Sequence, residues 1–318
     1  MMHAVAITGP TASGKTALGI ALARELSGEI ISCDSMQIYK EMSIGTAKPT
    51  EEERAAVAHH LIDFLSPDIS YSADNYRADA ITAAEEITSR GRLPIFVGGT
   101  GLYIDTVARA AQEVPPSDPE LREKILASVE NDAYKLWQRL YEVDPISAEK
   151  IHKNNSKRVL RALEIYESTG KPKSYFDELS LRCEPPIHIS MITLDFHNRE
   201  LLYRRIDERV DKMLADGLLE ETRSLYEQGY LAPDKTAAQA IGYKELVGYI
   251  DGKMSLDMAI DELKLASRRY AKRQLTWFRH EKAYHLYLDT EDGVMRESSD
   301  VYSELFAVVK NLINEKAI

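Results

Sequence analysis

Gly9-Pro10-Thr11-Ala12-Ser13-Gly14-Lys15-Thr16 fits the phosphate-loop pattern G-x-x-x-x-G-K-[ST], and its flanks decide the fold around it. A short apolar run at 4–8 precedes it and an amphipathic stretch at 17–26 follows, so the pattern predicts strand, tight turn, helix. In that setting the glycines let backbone N–H groups turn inward with no Cβ in the way. The helix N-terminus adds the positive end of its dipole. Lys15 supplies a point charge for phosphate oxygens, and Thr16 a hydroxyl for Mg²⁺ or a bridging oxygen. The stretch announces a phosphorylated ligand, either a nucleoside triphosphate or some other diphosphate.

Working outward, further strand-like runs fall at 29–33, 93–97, 188–194 and 284–288. The first three strands alternate with helical patterns at 17–26 and 74–89, which predicts a parallel sheet covered on both faces. Ligands gather at the carboxyl ends of such strands. The phosphate loop, Asp34 and Gly98-Gly99-Thr100-Gly101 each follow a strand end, so three loops point into one cleft. Breaker clusters at 114–119 and 184–186 enclose helical patterns at 120–130, 133–143, 145–152 and 156–168. The expected organisation is therefore an α/β core, 1–114 plus 187–318, with a helical insertion at 115–186. Helical patterns at 198–216, 218–228 and 255–280 complete the core.

The 318 residues are 44% hydrophobic and 29% charged, as in an ordinary globular protein. A net charge of −11 argues against a nonspecific nucleic-acid coat but leaves room for a local basic surface. Two cysteines, Cys33 and Cys183, give neither a disulfide framework nor a zinc cluster. No segment has the length of a membrane span, and the apolar run before Gly9 is too short for a signal peptide. A cytoplasmic protein with no membrane partner is expected.

Several residues carry candidate chemistry. Asp34, at the end of the second strand, can hold Mg²⁺ through water, take a proton from a nucleophile, or cap the following turn. Gln37 follows it, and its amide matches the donor and acceptor edge of adenine. The glycines at 98–101 serve either close helix–sheet packing or a substrate approach by the backbone and the Thr100 hydroxyl. Arg205 and Arg209 stand one helical turn apart, either converging on one phosphate or lying on an exposed ion-pairing face. Basic residues also gather at Lys157, Arg158 and Arg161, and at Lys264, Arg268, Arg269, Lys272, Arg273, Arg279 and Lys282. A charged stripe is ordinarily a solvated face. Here Tyr270, Trp277 and Phe278 interleave with it, as in a binder of phosphate backbones.

Six landmarks in order along nearly the whole chain resemble the bacterial tRNA dimethylallyltransferases. They are the phosphate loop, Asp34-Ser35-Met36-Gln37-Ile38-Tyr39, Gly98-Gly99-Thr100-Gly101-Leu102-Tyr103, Arg158-Val159-Leu160-Arg161-Ala162-Leu163-Glu164, Ile241-Gly242-Tyr243-Lys244-Glu245, and Lys272-Arg273-Gln274-Leu275-Thr276-Trp277-Phe278-Arg279. The resemblance implies a P-loop NTPase-like core with a helical insertion that contacts tRNA. It also implies transfer of a dimethylallyl group from dimethylallyl diphosphate to N6 of the adenosine 3′-adjacent to the anticodon. Gly9 to Thr16, with Arg205 and Arg209, then hold the diphosphate with Mg²⁺ on Thr16, and Asp34, Lys15 and Thr16 act in catalysis. Asp34, Ser35, Met36, Gln37, Thr100, Arg122, Lys157, Arg158, Arg161, Gly242, Tyr243, Lys272, Arg273 and Arg279 map to contacts with the tRNA anticodon stem-loop, and a monomer is expected. The competing assignment is a small-molecule or nucleoside kinase, because phosphate loops most often serve nucleoside triphosphates.

Overall fold

The structure is a computed structural model that describes residues 2–110 and 114–314. Its chain divides into two compact units, Met1–Ala108 with Ile187–Ile318, and Arg109–Pro186. In the first unit the described residues form a six-stranded sheet. Its strands are β1 (Met2–Thr8), β2 (Gly28–Ser32), β3 (His59–His60), β4 (Leu93–Val97), β5 (Ile187–Asp195) and β6 (Tyr284–Tyr287). They lie in the order β3-β2-β4-β1-β5-β6, and every neighbouring pair is parallel.

Successive residues of a strand face opposite sides of the sheet, and β1 shows why both sides are covered. Ala4 and Ala6 pack with Tyr76, Ala80, Phe96 and Ile104 on one face, whereas Val5 and Ile7 pack with Leu22, Leu194, Ile206 and Leu275 on the other. The covering helices are α1 (Lys15–Glu25), α2 (Glu51–Ala56), α3 (Ala73–Ser89) and α4 (Gly101–Ala108) before the insertion. The insertion is a helical unit with its own core of Ile125, Leu136, Leu140, Val159 and Leu163. It contains α5 (Pro119–Ser128), α6 (Ala133–Val143), α7 (Pro145–Lys150), α8 (Ser156–Thr169) and α9 (Lys173–Leu181). Asp118, Asp132, Asp144 and Asn155 accept first-turn N–H groups and so fix where four of these helices begin.

After β5 come α10 (Arg199–Ala215), α11 (Leu218–Glu227), α12 (Tyr243–Ile250), α13 (Leu256–Arg279) and α14 (Ser298–Asn314). A third apolar cluster joins α11, α12 and the first half of α13 to Ile38, Tyr39 and Met42, which brings the segment after β2 under these helices. The insertion starts at Arg109, where α4 has ended, and not at 115. The breaker cluster marks the start of α5, whereas the chain leaves the core earlier; residues 111–113 lie outside the described ones. Periodicity assigned no element to β3, α2, α9, α12 or α14; β3, at two residues, is too short to alternate. Among the described residues no helix is long and apolar enough to cross a membrane.

Candidate active site

The phosphate loop leaves β1 pressed against β5. Gly9 has φ +139°, and a Cβ there would sit 2.7 Å from the Leu194 carbonyl oxygen. Ala12 is left-handed at φ +62°, and its carbonyl accepts Arg205 Nε at 2.9 Å, so Arg205 pins the crown of the loop. Gly14, φ +87°, caps α1. Lys15 Nζ donates to the Pro10 carbonyl at 2.6 Å, folding back over the loop. Burial and the neighbouring Arg209 guanidinium lower the Lys15 ammonium to about 7, with the Asp34 carboxylate opposing them.

Two adjoining cavities open beside this loop. The first, about 140 Å³, is polar and is lined by Lys15, Thr16, Ser32, Gln37, Gly98 and Gln274, among others. The second, about 290 Å³, is richer in apolar side chains: Met36, Ile206, Val210, Met213, Ile241 and Leu263. Thr11, Asp34, Thr46, Arg209 and Tyr270 belong to both walls. Asp34 therefore stands at the junction. Its Oδ1 accepts the N–H groups of Met36 (2.9 Å) and Gln37 (3.3 Å), while Oδ2 takes no hydrogen bond from a described residue. The turn-capping and the chemical readings of Asp34 are thus compatible, one for each oxygen.

Arg209 makes no hydrogen bond or ion pair with a described residue. Burial pulls its pKa down and Asp34 pulls it up, so a second half-buried cation stands in the cavity wall with Lys15, placed to meet an anion. Tyr270 is raised to about 12 by burial and by Asp34. Thr100 Oγ1 accepts the Ser35 N–H at 3.1 Å and so ties the glycine-rich loop to the Asp34 turn. A Cβ at Gly98, Gly99 or Gly101 would collide with the Cys33 carbonyl, the Gln274 amide or the Trp277 indole. The glycines serve packing, yet Gly98 and Gly99 also line the polar cavity.

Among the side-chain oxygens lining the polar cavity, the Thr16 hydroxyl and the Asp34 carboxylate are the ones suited to a hard divalent cation. No group of three or more acidic, His or Cys side chains fit to hold a metal occurs among the described residues. That donor set fits Mg²⁺, which takes few protein oxygens and completes its shell with water and phosphate.

Five residues assigned to RNA contact are occupied elsewhere. Gln37 spends both Nε2 hydrogens on the carbonyls of Thr46 and Ala47, each at 3.1 Å, and accepts from Ser32, so its amide is not free for a base edge. Tyr243 is fully buried and donates to Glu221 at 2.6 Å. Glu221 in turn accepts the N–H groups of Ser43, Ile44 and Gly45, which shapes the loop carrying Thr46. In the insertion, Arg122 and Arg161 converge on the buried Glu164, at 2.9 and 3.8 Å. Arg279 clamps the buried Asp195 with Nε at 2.9 Å and Nη2 at 2.6 Å. An opposite charge in a dry site holds each guanidinium more firmly than solvent would.

The basic stripe of α13 thus divides by face. Lys264 and Arg268 pair with Asp211 and Asp207 of α10, at 2.6 and 2.7 Å, while Arg269, Lys272 and Arg273 are exposed and make no ion pair with a described residue. Lys157 and Arg158 are likewise exposed at the start of α8. Gly242 lines the larger cavity with Ser35 and Met36. Residues without an assigned role also enter the site: Gln274, Tyr270, Thr46, and His59 from β3, with Glu221 holding the loop behind Thr46. A signal existed for Gln274, a polar residue amid the apolar positions Ala271, Leu275 and Phe278 of α13.

This arrangement has close counterparts. A sequence profile described as IPP transferase matches residues 37–281, and one described as isopentenyl transferase matches 2–66. The tRNA dimethylallyltransferase of Geobacillus kaustophilus is 50% identical over 290 residues, spanning 90% of both chains. That of Thermoanaerobacter sp. is 48% identical over 279 residues, 86% of this chain and 88% of its own. Among solved structures, the tRNA isopentenylpyrophosphate transferase of Bacillus halodurans aligns with a TM-score of 0.72 at 41% identity, covering 100% of this chain and 98% of its own. A eukaryotic dimethylallyltransferase acting on tRNA aligns at 0.80 with 31% identity, covering 90% and 74%. A phosphate loop facing a strand-end carboxylate across a divided cleft, on a chain that matches these relatives almost end to end, places the protein in the IPP transferase family of tRNA dimethylallyltransferases.

Proposed function

We propose that the polar cavity takes the diphosphate of dimethylallyl diphosphate and the larger cavity the target adenine. The dimethylallyl group then passes to N6 of the adenosine 3′-adjacent to the anticodon of a tRNA. The observation that carries this reading is the place of Asp34, whose side chain belongs to the walls of both cavities.

The N6 lone pair attacks C1 of the allyl group as the C1–O bond breaks, and the bonding electrons leave on the diphosphate oxygen. Lys15, Arg209 and the loop N–H groups meet that growing negative charge, the effect that matters most for an anionic leaving group. Mg²⁺, which Thr16 would hold, would supply Lewis-acid stabilisation of the same charge when bound. An exocyclic amine is a weak nucleophile, and Asp34 Oδ2 accepts its proton as the new C–N bond forms. The adenine must leave its stack to reach this carboxylate, and Ser35, Met36, Thr100 and Gly242 flank the position it takes. Lys272 and Arg273 on α13, and Lys157 and Arg158 in the insertion, serve as phosphate contacts, since these exposed cations make no ion pair with described residues.

Mass spectrometry of tRNA nucleosides after incubation with dimethylallyl diphosphate tests the reading. One added C5H8 unit on the adenosine beside the anticodon is expected. Unmodified tRNA, with ATP consumed and a phosphorylated small molecule formed, contradicts it.

A further inference from the structure

Gln274 is a polar side chain, 6% exposed, on the inward face of a helix that is otherwise apolar there. Both ends of its amide are used. Oε1 accepts the Thr11 N–H of the phosphate loop at 2.8 Å, and Nε2 donates to the Gly99 carbonyl of the second glycine-rich loop at 2.9 Å. One amide thus joins two strand-end loops that have no sequence connection and that both line the polar cavity. The fit leaves no slack, because a Cβ on Gly99 would collide with Gln274 Nε2.

We propose that Gln274 is a positioning residue for prenyl transfer, setting the distance between the phosphate loop and the Gly98–Gly101 loop and so the width of the diphosphate cradle. The inference rests on the polar cavity being the diphosphate site. The geometry has a specific consequence for the loop. Thr11 N–H is turned to the helix, so it is held apart from the remaining loop donors that would meet the ligand. A preorganised cradle does not spend ligand binding energy on ordering itself.

Gln274→Ala, Gly99→Ala and the double variant test it, with dimethylallyl thiodiphosphate and Mg²⁺ as the donor probe and an anticodon stem-loop RNA as the second ligand. Each single change weakens donor binding about tenfold, within the range expected when the two neutral hydrogen bonds of the Gln274 amide are lost or displaced. RNA binding stays within about twofold in each, because the outward cations of α13 are untouched. The double variant binds donor no worse than Gln274→Ala alone, since the new methyl occupies the space that the amide left. Thermal unfolding followed by circular dichroism establishes that each variant is folded, and Gln274→Met, which keeps the volume and loses both hydrogen bonds, reproduces the donor defect. Wild-type protein that fails to bind the donor overturns the diphosphate reading and this proposal with it. Wild-type binding accompanied by undiminished donor binding in Gln274→Met, by equal loss of RNA binding, or by additive losses in the double variant overturns the proposal alone.

Discussion

The two halves of the cleft are built by different means. The polar half is mostly short-range: loop residues from Thr11 to Thr16, then the ends of β2 and β4, converge because parallel strands end together. The larger half is assembled from afar. Ile206, Arg209, Val210 and Met213 are one face of α10, and Leu263, Ser267 and Tyr270 one face of α13, closed by the 239–242 turn. A local motif can specify a phosphate cradle, whereas a pocket between helices depends on which faces the whole fold brings together.

Substitutions in each half act on different ligands. At the junction, Asp34→Asn keeps the shape of both halves and removes the proton acceptor. Turnover in single-turnover prenylation falls about 10²–10⁴-fold, with donor and RNA affinities within a few-fold; unchanged turnover removes the base from the account. In the polar half, Lys15→Ala weakens donor binding about 10–100-fold, the range for a lost charge-assisted hydrogen bond, and leaves RNA binding intact. Equal losses for both ligands erase the distinction between the halves.

Lys15 also gives the polar half a pH dependence. The free ammonium titrates at about 7, and a bound diphosphate favours its charged form, so binding takes up a proton above that pH. Donor affinity measured by calorimetry therefore falls as pH rises from 7 to 9, by at most about tenfold per unit. Lys15→Met flattens this dependence, and a slope that persists in Lys15→Met assigns it to another group.

The two fates of cations on α13 differ in kind as well. Arg279→Ala strands the buried Asp195 carboxylate and costs about 2–3 kcal/mol in urea unfolding. That is below the roughly 3–5 kcal/mol of a fully buried pair, because Arg279 is itself partly exposed and His285 stays 3.3 Å from Asp195. Arg273→Ala leaves stability unchanged and lowers the salt slope of RNA binding by about one. A reduced salt slope with full stability in Arg279→Ala returns that residue to the RNA surface.

The same contrast explains what could be read from the chain. The strand–loop–helix run from β1 to α1, the parallel core and the helical insertion were legible because each shows in a window of neighbouring residues. Periodicity missed β3, and the breakers placed the insertion boundary late. The partners of Arg279, Arg122 and Tyr243 were invisible for another reason: Asp195, Glu164 and Glu221 lie far away in sequence. Acids on α10 neutralise part of the basic stripe, which the sequence of α13 alone does not show. Gln37 sits beside Asp34 in sequence, yet its amide is claimed by a loop that Glu221 holds in place.

The most direct measurement is a crystal structure with dimethylallyl thiodiphosphate and an anticodon stem-loop bound together. The expected result is the diphosphate between Lys15, Thr16 and Arg209, and the adenine N6 within hydrogen-bonding distance of Asp34 Oδ2. A purine lodged against Lys15, or an Asp34 carboxylate walled off from the base, contradicts it.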